Sequence, residues 1–214
     1  MGGTAGTNEA AGIAIGYRSM FVAMDGSSGV AVGNSALENL VGGNSTALGD
    51  EAGRYATGSF NTFVGRSAGK GGTTSAPFSS GTNNVAVGFE SLKAFTTGTK
   101  NTILGHRAGY STTTGFTKQY IGYQAGYYNT TGRSNIAIGY NSQQGASGQT
   151  TGGYNVSLGE NSLTALTTGN HNFAVGSNAG YSLTSGENNI IMGASAGDAL
   201  TTGSNNVAVG DYAL

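Results

Sequence analysis

The residues of this chain that could do chemistry are few, and their spacing does not gather them. His106 and His171 are its two histidines and there is no cysteine, so neither a His/Cys metal set nor a thiolate nucleophile can be assembled. Asp50-Glu51 is the one adjacent acidic pair. Acid/base work on a glycoside needs two carboxyls held across the substrate, and neighbours at a corner read instead as a solvated edge. Ser and Thr abound, yet none stands in a strand–elbow–helix context with a histidine partner. The Gly-rich turns invite comparison with phosphate cradles, but no G-x-x-x-x-G-K-[ST] occurs and no dinucleotide fingerprint opens a helix. The acidic residues build no ladder of the calcium-binding nonapeptide kind. The expectation is therefore a protein that is not an enzyme, with no cofactor and no metal.

One set of side chains does recur at a fixed interval. Phe89, His106, Tyr123 and Tyr140 are spaced 17 residues apart. If the chain repeats its structure with that period, these four stack at roughly 4.8 Å into an aromatic strip. Other copies of the same column carry Asn34, Asp50, Arg66, Glu160, Ser177 and Asp211, and a column that accepts both signs of charge faces water. A row of exposed rings suits a flat sugar or a protein receptor. Equally, the rings could ladder on each other and stiffen the middle of the structure, or cover a neighbouring protomer. Tyr110, Tyr127 and Tyr181 each follow an Ala-Gly pair and read as corner fillers.

The elements that position these rings are the repeats themselves. An aliphatic residue or Met followed by Gly closes twelve copies of one motif, at Gly16, Gly33, Gly49, Gly65, Gly88, Gly105, Gly122, Gly139, Gly159, Gly176, Gly193 and Gly210. Ala or Ser follows three residues later in every copy. The intervals are 17, 16, 16, 23, 17, 17, 17, 20, 17, 17 and 17 residues. A fixed period with fixed columns is the mark of stacked structural repeats. Segments such as Val85-Ala86-Val87 alternate at period two and are short strands. Asn stands before the strand in eight copies, with Thr-Gly or Thr-Thr-Gly upstream, and both read as corner signals. Seventeen residues are too few for a strand plus a crossover helix, so each repeat is one turn of an all-β parallel β-roll, a β-solenoid of about twelve turns. It forms a single array over 1–214, with loop insertions at 70–81 and 143–152.

Both faces of the strand are apolar. Val85 and Val87 share one face and Ala86 points to the other, and strands apolar on both faces are buried on both. A thin coil cannot bury two faces alone, so several coils are expected to associate, with Ala86 and Ala137 at the face between them. Adjacent threonines such as Thr96-Thr97 point to opposite faces, leaving one Thr per turn on any face rather than the paired ranks an ice-binding surface uses.

Composition agrees with a rigid rod. Nine Lys+Arg balance ten Asp+Glu with no basic cluster, which excludes electrostatic capture of nucleic acid. No apolar run approaches the ~18 residues of a membrane helix, and no signal peptide opens the chain.

The segments NNVAVGFESL, NIAIGYNS and NNIIMGASA resemble the head repeats of trimeric autotransporter adhesins of the YadA type, N-S-V-A-I-G-x-x-S. Longer copies carrying the T-T-G-x-x-N spacer are similar to repeats of phage tail fibres. The resemblance spans Ile13 to Leu214 and implies a left-handed roll, three chains about a common axis, an extracellular setting and a role in attachment to a cell-surface glycan or protein. The repeats here are longer than the adhesin ones, and the stalk and anchor of that family are not seen, which favours a fibre or filament. The expected function is a structural or adhesive rod; the alternative is a filament subunit stacking end to end, suggested by the repeat phase that Leu214 and Gly2–Gly6 would complete if joined.

Overall fold

The computed structural model describes residues 12–22, 28–146 and 150–214. The lead-in before Gly12, which includes the junction residues Gly2–Gly6, lies outside them, as do 25–27 of the second connection and 147–149 of the second loop. Twelve strands follow in order: β1 (Gly12–Ile15), β2 (Gly29–Val32), β3 (Ser45–Leu48), β4 (Thr62–Val64), β5 (Val85–Val87), β6 (Thr102–Leu104), β7 (Gln119–Ile121), β8 (Ile136–Ile138), β9 (Val156–Leu158), β10 (Phe173–Val175), β11 (Ile190–Met192) and β12 (Val207–Val209). All are parallel and lie in one sheet in chain order. The register keeps the columns aligned, with Val85 opposite Thr102, Ala86 opposite Ile103 and Val87 opposite Leu104. There is no helix among the described residues. The fold is an all-β parallel solenoid with one short strand per turn.

The motif Gly is required twice over. At Gly88, φ is +129°, and an added Cβ would sit 2.5 Å from the carbonyl oxygen of Gly105 one turn on. Successive turns thus stack backbone on backbone here, with Gly105 N–H donating to Val87 O at 2.8 Å. A side chain would push the turns apart.

The strand's middle residue fills the coil. Ala31, Ala47, Phe63, Ala86, Ile103, Tyr120, Ala137, Ser157, Ala174 and Ile191 are all fully buried. This overturns the expectation that Ala86 and Ala137 lie between coils; the residues on either side of them face outward instead. The physical reason is a volume rule within each turn. The residue four after the motif Gly also points inside, and Leu37, Leu92 and Leu163 there accompany the small Ala31, Ala86 and Ser157. Where the strand centre is large, that corner is Gly. A Cβ on Gly69 would overlap the Phe63 ring, one on Gly126 the Tyr120 ring, and one on Gly109 would press on Ile103 and Tyr120. No turn has both positions large.

The Asn before the strand is no left-handed corner, contrary to its reading as a turn signal. Non-Gly residues with positive φ fall five residues before the motif Gly and two or four after it, as at Asn83, Glu90 and Leu92. The Asn is instead a buried ladder. Asn101 Nδ2 donates to Asn84 Oδ1 (3.0 Å) and to Gly115 O (3.1 Å), and Asn101 N–H also reaches Asn84 Oδ1 (3.1 Å). In the turns that carry it, one amide therefore satisfies the backbone on both sides of the corner, where water cannot reach.

The two insertions are narrower than their sequence suggests. Gly71 and Gly72 donate to Lys93 O and Phe95 O, and Ser79 pairs again with Tyr55, so only 73–78 leave the coil. Phe78 packs parallel to Tyr55 at 6.1 Å. In the second, Gly145 N–H still bonds Thr164 O and Thr150 N–H bonds Tyr128 O. The apolar core divides near this loop, one cluster running from Ala31 to Ala137 and another from Leu163 to Ala208.

Candidate functional site

The four rings expected to share a column do so. Phe89–His106, His106–Tyr123 and Tyr123–Tyr140 have centroids 5.1 Å apart with interplanar angles of 25°, 9° and 8°. Each sits directly after a motif Gly, so the strand register alone sets their spacing. Tyr123 and Tyr140 are 42% and 51% exposed, which puts the column on the surface. Their faces are turned mainly on one another. A centroid spacing of 5.1 Å exceeds the roughly 3.5–4.0 Å of carbon contact, so close packing requires the rings to slip like tiles, each leaving an edge and part of a face outward. Arg66 and Arg107 both lie 5.8 Å from the centre of the Phe89 ring.

Tyr110 and Tyr127 form a second stack, 4.9 Å apart and 3° from parallel, half-buried beside Lys93. Tyr181, read with them as a corner filler, is 46% exposed and outside that stack.

Charge is used locally. Burial works against the Glu90 carboxylate, but hydrogen bonds from Lys93 (2.6 Å) and Arg107 (2.8 Å) outweigh it and hold its pKa below the usual range. Glu51 is held down in the same way by Lys70 and Arg54. The Asp50-Glu51 pair is divided: Asp50 accepts from Asn34 Nδ2 at 2.9 Å and meets Arg66, while Glu51 faces its own two cations. Gly65-Arg66-Ser67-Ala68-Gly69 spells G-x-S-x-G, but Ser67 Oγ donates to Glu51 and the chain runs on into another turn, not a helix. His106 is in the aromatic column, and His171 stacks on Tyr154 at 4.9 Å. Among the described residues no three His, Asp or Glu side chains converge as a metal site would need.

Two features were missed by reading the sequence. Lys118 takes the place of the ladder Asn in its turn and is fully buried. Its Nζ donates to Asn129 Oδ1 (2.8 Å), Asn129 O (2.9 Å) and Thr112 Oγ1 (3.2 Å). Burial draws its pKa well below that of a free lysine. The substitution was visible in the Asn column; its burial was not. The second is a surface cleft of about 320 Å³ lined by Phe116, Thr131, Arg133, Thr151, Tyr154 and Asn170. Aligning the residues six before each motif Gly would have shown Arg133 followed by Gly153, a side-chain-free position.

No known family, curated protein or solved structure matches this chain. No helix among the described residues is long and apolar enough to cross a membrane.

Proposed function

We propose that the chain is a non-enzymatic attachment rod that works as a homotrimer in an extracellular fibre. The observation that carries this reading is the outward strand face. Its twenty-four positions, from Ile13 and Ile15 to Val207 and Val209, include no charged residue, and the position before the motif Gly is Ile, Val, Leu or Met throughout. Ile121, Ile138, Phe173, Ile190 and Met192 all lie open on it. Eleven strand spacings of about 4.8 Å and a width of about 10 Å give a strip on the order of 500 Å², apolar except at Thr46, Thr62, Thr102 and Gln119, and so within the range of an apolar patch on a lone soluble protein. That is short of the ~800 Å² a partner contributes to a standard interface. Three strips converging on one axis let each meet two others, and three is the number that the resembled head repeats imply.

The column carrying Phe89, His106, Tyr123 and Tyr140 borders this face and is the rod's candidate contact with a receptor. Sedimentation velocity tests the assembly: a discrete trimer is expected. A folded soluble monomer would overturn it, and an open-ended size series would replace it with an end-to-end filament. For the column, Tyr123→Ala with Tyr140→Ala should abolish attachment to cells or glycans without lowering the melting temperature; reduced melting with intact attachment makes the rings structural.

A further inference from the structure

We propose that the cleft around Arg133 is a subsite for a carboxylated sugar of an acidic polysaccharide running along the rod. The proposal rests on the attachment reading and names its ligand class. The starting observation is the pairing of the arginines. Arg18, Arg54, Arg66 and Arg107 each meet a carboxylate. Arg133, the fifth, meets none among the described residues and is exposed. Its guanidinium instead lies 5.3 Å from the centre of the Tyr154 ring, whose other neighbour is His171. A ring beneath the guanidinium orients the planar fork that a carboxylate accepts bidentately.

Thr151 at the end of the second insertion and Gly153 just after it line the cleft. Residues six before the motif Gly form an outward ridge that reads Phe116, Arg133, Gly153, Asn170, Glu187 along the rod. Gly153 is a notch in that ridge, between Arg133 and Asn170, at the end of the loop that breaks the 17-residue period. Asn170 is already committed, accepting from Gly153 N–H (2.9 Å) and donating to Glu187 Oε1 (2.9 Å), so it forms a fixed wall. Phe116 is 41% exposed on the opposite side and offers an apolar surface to a sugar's C–H face.

The outward hydroxyls of the cleft have no hydrogen-bond partner among the described residues. In the Thr pairs of the cleft the first member turns to the coil, as where Thr113 Oγ1 donates to Thr130 O and Thr130 Oγ1 to Thr150 O. The second member, Thr114, Thr131 and Thr151 here, is exposed. These hydroxyls recur once per turn, at roughly 4.8 Å, a spacing close to that of successive rings in an extended polysaccharide. The ridge as a whole carries Arg and Glu, so it faces water rather than the charge-free interface.

The test is binding to the purified, folded rod by saturation-transfer NMR and titration calorimetry with three probes: an oligogalacturonate, a neutral cello-oligosaccharide and heparin. The oligogalacturonate should bind and the neutral oligosaccharide bind more weakly. Arg133→Gln should weaken oligogalacturonate binding by about tenfold or more, the loss of one charge-assisted bidentate contact. Lys100→Gln, which removes another exposed cation outside the cleft, should leave it unchanged. Binding of heparin alone, equal losses in the two variants, or no binding to a rod that still sediments as a trimer would each overturn the site. That last result would leave the rod and its assembly standing, whereas a monomer would fail the earlier reading instead.

Discussion

The volume rule inside each turn can be tested by exchanging one layer for another. Tyr120 is fully buried, and a Cβ on Gly126 would overlap three atoms of its ring. Two turns away the same two positions hold Ala86 and Leu92. The backbone is already compatible, since φ is +63° at Gly126 and +50° at Leu92. Tyr120→Ala alone leaves a ring-sized void and should cost about 3–5 kcal/mol. Gly126→Leu alone adds about 1–2 kcal/mol for a left-handed non-glycine and about 1–3 kcal/mol or more for overpacking against the ring. The double variant recreates the Ala86/Leu92 layer and should lie within about 3 kcal/mol of wild type, a favourable coupling of at least ~2 kcal/mol. Urea unfolding followed by circular dichroism on all four proteins closes the cycle. Losses that add to within about 0.5 kcal/mol would show that the two positions do not share one space, and the rule would be wrong.

Three further substitutions probe other columns. Ala86→Glu buries an unpaired charge inside the coil and should cost several kcal/mol, seen as a large fall in melting temperature, whereas Val87→Glu on the outward face should leave the turn intact and appear in sedimentation as lost association. Gln143 is fully buried and its amide finds no hydrogen-bond partner among the described residues; Gln143→Leu, matching Leu92 and Leu163, should stabilise the rod by about 1–3 kcal/mol, measured by urea unfolding. Lys118 has a folded-state pKa below its unfolded one. Between those two values the unfolded chain holds a proton that the folded chain has released, so stability must rise with pH, by up to about 1.4 kcal/mol per unit, and level off above the unfolded value near 10.5. Lys118→Met should lack that rise, and parallel stability–pH curves for the two proteins would refute it.

Strand positions, turn count and register were legible in the sequence, because twelve copies in fixed columns admit no other pairing. The aromatic column was legible for the same reason: a period of 17 that equals one turn places Phe89, His106, Tyr123 and Tyr140 above one another. The face each column occupies was not. Ala86 and Val87 alternate identically whichever of them points inward, and the period is blind to that choice. Only the closed coil decides it, since the interior also receives Leu92 from the corner and has room for no more than Ala beside it. The same closure put Lys118 among the acceptors of Asn129 and Thr112, turned the Asn column from a corner signal into a buried ladder, and left Arg133 beside a missing side chain. Each depends on residues from different turns meeting at a corner, and corner geometry is set by the stacked backbone, which a single repeat does not encode.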